Sequence, residues 1–598
     1  MCGIVGIYGF SDKTLVKRMC DRISHRGPDE DGYYIDDKVS LGMRRLSSID
    51  LSTGSQPILS ENESIIVVFN GEIYNFRELR EELEQKGHRF STNSDTEVIV
   101  HAYEDYGYDC LKRFNGMFAI ALWDTNRKEL LLARDRIGIK PLYYTLDNAN
   151  IVFASEIKPI LEYGIRREVD EIALANYFIL RYVPAPRTMF KGVNKLEPGH
   201  YMVFNEKGME KRKYWDLKFE PLSGDRNYFV TTASDMLRRT VNKMRVTDVP
   251  VGAYLSGGID SSVIVALMSE LQEEPVKTFS VGFEGEYDET PYARIVAEHL
   301  GTEHHEIFVD EPDILPEIFY HFNDPIADPA VIPTYVVSKQ ARKEIKVVLA
   351  GEGGDEAFGG YEKYAHELKM LNMFSRLPEF SRSMISGIAK KFPETSRMRI
   401  YAMFVVNKRN QQESYSFRLR HRDLGSEYMI SGLSDEVDEM VTNSFDKRDY
   451  VSNMIYFDIK HTLPENLLMK WDRTTIANSI EARFPFLDHE LLYFAYNIPY
   501  HLKIKNNGKY ILRKVASELL PREIVERKKH GFDVPIKEWF KSDTLDEYLS
   551  EEKIKDTPYL YSDKIQEVWG RHRRGKGDYS ILLWKCLCYV MWYDSYIV

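Results

Sequence analysis

Cysteine is scarce in this sequence, and long apolar runs are absent. The 5 cysteines among 598 residues are widely scattered, at Cys2, Cys20, Cys110, Cys586 and Cys588. This odd set offers neither a disulfide framework nor the paired spacing of metal ligands. No apolar run approaches the roughly 20 residues of a membrane-spanning helix, and the first residues carry no basic leader. We therefore expect a cytoplasmic protein with no membrane partner.

The sequence also lacks an excess of basic charge. Lys and Arg number 80 against 92 Asp and Glu, which gives a formal net charge of -12. A nucleic-acid partner would normally require a basic stripe, and the short run Arg571–Arg574 is better explained as a solvated loop. We therefore expect no nucleic-acid partner. A chain of this length is also too long for one hydrophobic core and predicts two or more domains.

Short strands and turns with two helical inserts are predicted for about the first 200 residues. The β-branched run Ile65–Phe69 ends in Asn70-Gly71, a pair that predicts a turn. Phe76–Lys86 has helical spacing and is followed by Gly87 as a stop signal. Four further runs predict strands of a largely antiparallel sheet: Phe118–Asp124, Glu129–Arg134, Leu142–Leu146 and Ile151–Ala154.

The pattern changes at Lys218–Arg226, where Pro, Ser and Gly indicate a linker. Helical stretches then alternate with the strand-like runs Val249–Leu255, Thr278–Phe283 and Lys346–Ala350. This alternation predicts a doubly wound parallel sheet, and helices dominate from about Glu367 onward. We therefore expect an α/β protein with domains at 1–217 and 227–598.

Cys2 is the first candidate catalytic residue. If the initiator methionine is removed, Cys2 carries both a thiol and a free α-amino group, whose reference pKa near ~7.7 lets it act as a base. The amino group can then take the thiol proton directly or through water. Taken alone, a chance cysteine at this position is the simpler interpretation.

Further candidates surround this nucleophile in the predicted fold. Asn70 and Gly71 can offer a side-chain amide and a backbone N–H to one oxyanion. Arg45 can bind an α-carboxylate through two hydrogen bonds, while Glu72 and Asp95 can bind an α-ammonium. Each charge by itself could equally be a surface residue or a structural pair. Together they would recognise the amino-acid end of glutamine.

The first predicted domain, residues 1–217 and called the first half below, resembles the glutaminase domain of class II glutamine amidotransferases, the N-terminal-nucleophile type. The resemblance rests on the segments Cys2–Gly6, His25–Asp29, Arg45–Ser47, Asn70–Asn75, Ser94–Glu97 and Ala133–Tyr144. It implies an αββα Ntn-hydrolase-like fold. It also implies Cys2 as nucleophile, Asn70 and Gly71 as oxyanion hole, and Arg45, Glu72 and Asp95 as glutamine-binding residues.

A second candidate site begins at the glycine-rich segment Ser256–Ser262, between a predicted strand and a predicted helix. Such a junction presents free backbone N–H groups at the positive end of a helix, which suits a phosphate. The Walker-type Gly-x-x-x-x-Gly-Lys-Ser/Thr pattern is missing, so a kinase or motor is disfavoured. By itself the segment could be only a turn.

The acidic segment Gly351–Glu356 follows the predicted strand Lys346–Ala350, so both segments should reach the same edge of the sheet. Asp260 and Asp355 could then share a magnesium ion that neutralises the pyrophosphate of ATP. Lys509 is a candidate for stabilising the leaving group, although a solvated loop lysine is the alternative.

The second predicted domain, residues 227–598 and called the second half below, resembles the ATP-pyrophosphatase domain of the glutamine-hydrolysing asparagine synthetases. Its pyrophosphate loop corresponds to Leu255–Ser262 and its adenosine strand to Ser280–Phe283. Later similar segments are Asp472-Arg473, Glu481–Asp488 and Lys529–Phe532, and the likeness thins between about Tyr364 and Tyr456. The resemblance implies ATP binding by Leu255, Ser256, Gly257, Gly258, Asp260, Ser261, Ser262, Val281 and Gly351. We interpret Glu481, Arg483 and Asp488 as structural, because a Glu–Arg pair beside phenylalanines is usually a buried pair.

The resemblance implies adenylation of a carboxylate with release of pyrophosphate, followed by attack of ammonia that has travelled through a shielded channel. Glu352 is the candidate for taking the surplus proton. Aspartate is the implied acceptor, but Gly354 stands where asparagine-forming members often carry Ser. A sugar acid or a cell-wall precursor therefore remains open as acceptor. A non-catalytic glutamine sensor and a homodimer also remain open.

Overall fold

The computed structural model describes the chain except for a limited set of positions. Those positions are residues 1, 284–287, 310–311, 375–377, 379, 382–383, 386–387, 389–410, 422–434, 447 and 529–533. The segment Lys529–Phe532, which contributed to the resemblance, lies outside the described residues.

The first half contains two antiparallel sheets of six strands each. The first sheet has the order β10-β8-β9-β1-β3-β2 and the second has the order β12-β11-β7-β6-β5-β4. Their strands are β1 Gly3–Tyr8, β2 Glu30–Ile35, β3 Val39–Arg45, β4 Ile58–Leu59, β5 Ile65–Ile73, β6 Gly116–Asp124, β7 Glu129–Arg134, β8 Tyr143–Asp147, β9 Asn150–Ala154, β10 Val193–Lys195, β11 His200–Asn205 and β12 Gly208–Lys213.

The two sheets pack face to face and carry helices on their outer faces. Alternate residues of a strand point to opposite faces, so Ile4 packs between the sheets while Val5 packs outward. The outer layers form the predicted αββα sandwich. Their helices are α1 Lys13–Asp21, α2 Phe76–Gln85, α3 Glu97–Tyr106, α4 Cys110–Arg113, α5 Ile157–Leu161 and α6 Glu171–Leu180.

The prediction of a turn at Asn70-Gly71 is wrong. Strand β5 continues through both residues to Ile73, with Asn70 opposite Ala119 and Gly71 opposite Phe118. A Cβ atom on Gly71 would lie 2.0 Å from the carbonyl oxygen of Met117. The glycine is therefore required by the close approach of the neighbouring strand, and its conformation is that of a strand residue.

The second half is built on a parallel sheet of five strands in the order β15-β14-β13-β16-β17. The strands are β13 Val251–Tyr254, β14 Lys277–Gly282, β15 Glu303–Phe308, β16 Val347–Leu349 and β17 Glu481–Arg483. The chain adds β14 and β15 on one side of β13 and then β16 on the other. Ligands of such doubly wound sheets bind at the carboxyl ends of the strands where this reversal occurs, which here is between β13 and β16.

Helices surround this sheet and form most of the remaining chain. Those up to residue 374 are α7 Arg226–Met244, α8 Ile259–Glu270, α9 Thr290–Leu300, α10 Leu315–His321, α11 Val331–Ala341, α12 Gly354–Phe358 and α13 Glu362–Phe374. A π-helix spans Asp458–Leu467. The later α-helices are Gln411–His421, Glu436–Ser444, Tyr450–Phe457, Leu468–Ile476, His489–Tyr496, Tyr500–Lys503, Tyr510–Ala516, Arg522–Glu526, Ile536–Trp539, Glu551–Asp556, Ser562–Arg573 and Ser580–Tyr596.

The helix-rich end of the chain that the sequence predicts is therefore present. Over the part of the chain that the structure describes, every helix falls short of the length and apolarity needed to cross a bilayer. The predicted linker is packed against the second half, because the backbone N–H of Leu222 donates to the carbonyl of Asn497 at 2.9 Å. Helix α7 begins directly after it, with Asp225 accepting from the N–H of Tyr228 as its N-cap.

Candidate active sites

Cys2 and Asn70 meet between the two sheets of the first half. Cys2 directly precedes β1, and its backbone N donates to Asn70 Oδ1 at 3.1 Å. This bond fixes the orientation of the amide, so Nδ2 is free to point elsewhere. Within the described part of the chain, Asn70 is fully buried and its Nδ2 donates no hydrogen bond. A buried unsatisfied donor costs about 1–3 kcal/mol, which is typical of a group reserved for a ligand.

The environment of Cys2 disfavours the ionised thiolate. Burial raises the pKa of the thiol, and the nearby charge of Arg45 lowers it by less. The thiolate is the reactive form, so nucleophilic attack requires a base that accepts the thiol proton. Gly71 lies next to Asn70 on β5, which places both predicted oxyanion-hole residues on one strand.

Arg45 lies at the end of β3 and is almost fully buried. Its Nη1 donates to Glu30 Oε1 at 3.1 Å, and its Nη2 donates to the carbonyl of Asp50 at 2.6 Å. A Cβ atom on Gly54 would lie 2.6 Å from Arg45 Nη2 and 3.2 Å from the Cβ of Ser94. Glycine at position 54 thus lets the guanidinium approach the loop that carries Asp95.

Glu72 and Asp95 are both buried, and each is held by protein donors. Asp95 Oδ2 accepts from the backbone N–H of Ile73 at 2.8 Å. Glu72 Oε1 accepts from the hydroxyl of Ser48 at 2.7 Å and from Arg483 Nη2 at 2.9 Å. Burial raises the pKa of both carboxyl groups, that of Asp95 to about 6.

The structure therefore brings the predicted glutamine-site residues to one region at the edge of the β-sandwich. Sequence reasoning missed that the second half of the chain reaches this region as well. Arg483 lies on β17 of the parallel sheet and was interpreted only as part of a structural pair with Glu481. That pair exists, with Arg483 Nε donating to Glu481 Oε1 at 2.7 Å, but Arg483 also contacts Glu72.

The glycine-rich loop of the second half connects β13 to α8, as its sequence predicts. Gly257 has a φ of +68°, and a Cβ atom there would lie 2.5 Å from the backbone of Tyr292. The hydroxyls of Ser256 and Ser261 bond within the loop, with Ser261 Oγ donating to the carbonyl of Gly258 at 3.1 Å. Ser262 is fully buried beneath the loop.

The acidic loop that follows β16 lies beside this glycine-rich loop. A Cβ atom on Gly351 would come within 2.7 Å of the backbone N of Ser261, so only glycine permits this approach. Both loops emerge at the same edge of the sheet, where its strand order reverses. The expectation that the two segments meet there is confirmed.

Asp260, Asp355 and Lys509 converge at the mouth of these loops. The ammonium of Lys509 lies 2.6 Å from Asp355 Oδ1 and also contacts Asp260. Burial lowers the pKa of Lys509, but the two carboxylates outweigh burial and the pKa is raised. Two carboxylates that converge on one cation are oxygen ligands of the kind that Mg²⁺ uses together with phosphates. The two carboxylates are therefore a donor set that fits a magnesium ion.

Glu352 is held at the cavity wall by Trp471, whose Nε1 donates to Glu352 Oε2 at 2.6 Å. Trp471 in turn stacks on Tyr254 with ring centroids 5.5 Å apart. Sequence reasoning missed Glu356 nearby, whose pKa is raised to about 8 by burial and by the charges of Asp355 and Glu352. The position of Glu356 in the acidic segment Gly351–Glu356 is the sequence signal that could have identified it, because neighbouring carboxylates raise one another's pKa.

A cavity of about 810 Å³ unites the candidates of the second half. Those lining it are Leu255, Ser256, Gly258, Asp260, Ser261, Val281, Gly351, Glu352, Asp355 and Lys509. Gly257 and Ser262 belong to the same glycine-rich segment but lie outside the set of residues that line this cavity. Sequence reasoning missed the cations Arg181 and Lys470 in the same wall, and Arg181 comes from the first half of the chain.

A β-sandwich with a buried N-terminal thiol, joined to a parallel sheet with a loop-lined cavity, defines a glutamine amidotransferase with a second, synthetase-type site. In agreement, a family model for the glutamine amidotransferase domain matches residues 1–215, and a model for asparagine synthase matches residues 232–594. The chain belongs to the glutamine-hydrolysing asparagine synthetase family, which uses ATP.

Curated relatives match along nearly the whole chain. Asparagine synthetase [glutamine-hydrolyzing] 1 of Bacillus subtilis strain 168 is 37% identical over 628 aligned positions, covering 99% of this chain and 96% of the relative. A putative asparagine synthetase of Mycobacterium tuberculosis strain H37Rv is 35% identical, covering 100% and 96%. A putative asparagine synthetase 2 of Methanocaldococcus jannaschii is 34% identical, covering 80% and 98%.

The affinity for glutamine is expected to fall as the pH falls below about 6, the raised pKa of Asp95. An ammonium bound between ionised carboxylates would lower this pKa, so binding releases a proton and the KM for glutamine rises by up to about tenfold per pH unit in acid. Glutamate release measured from about pH 5 to 8 checks this. Asp95→Asn should bind weakly at every pH, and a flat KM for the unmodified enzyme would contradict the prediction.

Proposed function

We propose that this enzyme hydrolyses glutamine at Cys2 and uses the ammonia to convert aspartate to asparagine, with ATP split into AMP and pyrophosphate. The observation that carries the first step is the buried amide of Asn70, held by Cys2 through Oδ1 with Nδ2 unbonded. The second step is supported by the two glycine loops that share one cavity with Lys509. We assign the steps to domains at 1–217 and 227–598.

Glutamine hydrolysis begins once removal of Met1 exposes the α-amino group of Cys2. That group takes the thiol proton, and sulfur attacks the side-chain carbonyl carbon of glutamine. Asn70 Nδ2 and the N–H of Gly71 stabilise the resulting oxyanion. The α-amino group returns the proton to the leaving nitrogen, ammonia departs, and water hydrolyses the thioester to glutamate. Arg45, Glu72 and Asp95 hold the amino-acid end of the substrate throughout.

Adenylation takes place in the cavity of the second half. A carboxylate oxygen of the acceptor attacks the α-phosphorus of ATP, and pyrophosphate leaves. The backbone N–H groups of the loop after β13 and the ammonium of Lys509 stabilise the leaving group. Asp260 and Asp355 would hold Mg²⁺, which neutralises phosphate charge when bound.

Ammonia then attacks the acyl carbon of the adenylate, and AMP leaves. The new C–N bond creates an ammonium-like nitrogen that must lose a proton, and we assign the acceptance of this proton to Glu352. A shielded passage between the domains would keep ammonia unprotonated and would keep water from hydrolysing the adenylate. We propose that these reactions take place in the cytoplasm, with a homodimer as the working assembly.

The Cys2→Ala variant is expected to lose glutamine-dependent turnover and to keep ammonia-dependent turnover. The thiol acts only in the first half, while the cavity of the second half is untouched. Pyrophosphate release with glutamine and with ammonium salt separates the two activities, and mass spectrometry of the unmodified enzyme should find Cys2 as its first residue. Equal loss of both activities would contradict the assignment of two independent sites.

The Lys509→Met variant is expected to lose pyrophosphate release with either nitrogen source, by about 10²–10³-fold. Lys509 is the ammonium between Asp260 and Asp355, and methionine removes its charge. Glutamate release should stay unchanged. The matched control is Lys514→Met, because Lys514 is exposed one turn further along the chain. Equal effects of the two substitutions would contradict the role of Lys509.

The acceptor is tested by pyrophosphate release across a panel of carboxylic acids, with ammonium salt as nitrogen source. We expect aspartate to give the highest kcat/KM and asparagine as product. The panel includes sugar acids and cell-wall precursors because of Gly354, where a Cβ atom would lie 2.5 Å from Asp260 Oδ1. A serine there would displace Asp260, so this chain shapes the cavity differently. Preference for another acid would overturn aspartate and keep the reaction class.

A further inference from the structure

Arg483 lies on strand β17 of the parallel sheet, and its side chain contacts Glu72 in the first half of the chain. Its guanidinium is fully buried and makes four hydrogen bonds. Two hold it in place, from Nη1 to the carbonyls of Met244 at 2.8 Å and Val246 at 2.7 Å. The other two join it to Glu481 and Glu72. The planar fork of arginine suits such fixed bonding, whereas a flexible lysine offers a single point charge.

Glu72 is the carboxylate proposed to bind the α-ammonium of glutamine. The hydroxyl of Ser48 and the guanidinium of Arg483 both donate to its Oε1. The carboxylate is therefore held through one oxygen and can present Oε2 to a ligand. Without these two donors, the side chain of Glu72 would be free to change rotamer.

The charge of Glu72 also depends on this contact. Burial and the carboxylates of Glu481 and Asp95 raise the pKa of Glu72, while Arg483 lowers it. The hydroxyl of Tyr74 is also close enough to this cluster for the charges of Arg483, Glu481 and Glu72 to affect its pKa, which burial raises. Among these neighbours Arg483 supplies the positive charge that favours the ionised form of Glu72, and only the ionised form attracts an ammonium.

The main chain of Arg483 connects this contact to the second site. Its carbonyl accepts from the backbone N–H of Ala350 at 3.0 Å, directly after β16. The next residues, Gly351 and Glu352, line the nucleotide cavity. One residue thus holds the glutamine-site carboxylate with its side chain and the start of the acidic loop with its backbone.

We propose that Arg483 is a positioning residue for glutamine: reaching from the second half, it holds Glu72 through Oε1 and leaves Oε2 for the α-ammonium, so that the glutamine site is complete only when the two halves are docked. This inference rests on the proposed glutaminase activity of Cys2. It assigns to β17 a part in substrate binding that lies outside its own domain.

The test compares Arg483→Lys, Glu72→Gln and the double variant in the full-length enzyme. We expect Arg483→Lys to raise the KM for glutamine by about tenfold to hundredfold, since a bond to a charged group is lost. Ammonia-dependent pyrophosphate release should be retained, which shows that the variant is folded. Arg238→Lys, an exposed arginine paired with Glu270, is the matched control and should leave both activities unchanged.

Two further readouts separate positioning from a purely structural role. The pH below which glutamine affinity falls should move upward in Arg483→Lys, because Arg483 lowers the pKa of both Asp95 and Glu72, and a lysine that pairs less closely would lower them less. The double variant should bind glutamine no more weakly than Glu72→Gln alone. An unchanged KM, an unchanged pH profile or fully additive losses would each overturn the inference. Failure of the unmodified enzyme to hydrolyse glutamine would instead overturn the proposed function.

Discussion

The two halves of this enzyme depend on charges buried between them. Arg26 is fully buried in the first half and donates to both carboxylate oxygens of Asp472 in the second, each at 2.8 Å. Burial raises the pKa of Asp472, but Arg26 outweighs it and the pKa is lowered. Neither charge can stay buried alone, since removing one partner of such a pair costs about 3–5 kcal/mol. A buried ion pair therefore joins the two halves.

This docking makes each site a product of both halves. Arg181, which follows helix α6 of the first half, lines the cavity of the second half. Arg483, on the last strand of the parallel sheet, contacts Glu72 in the sandwich. A boundary at one point of the chain separates the two folds, but each candidate site has contacts from residues on both sides of that boundary.

Much of the fold could be predicted from periodicity and turn residues. Glu129–Arg134 is a strand with the predicted bounds, and the loops after β13 and β16 meet at the predicted edge. Asn70-Gly71 was misread because the same pair favours turns in other contexts. Only the partner strand shows that glycine is needed there for close approach to Met117. Local sequence does not show which strand will lie opposite.

The chemistry of the candidate residues can be read from the chain: a thiol behind the initiator methionine, an amide at the end of a β-branched run, and glycine loops at two strand ends. These follow from residue type and from position within a strand or loop, which are local properties. Tertiary packing, by contrast, sets the partner of each charge. Glu481 and Arg483 look like a self-contained pair along the chain, yet the guanidinium has donors to spare for Glu72. Buried ions are satisfied by whatever folding brings near, and that depends on long-range packing.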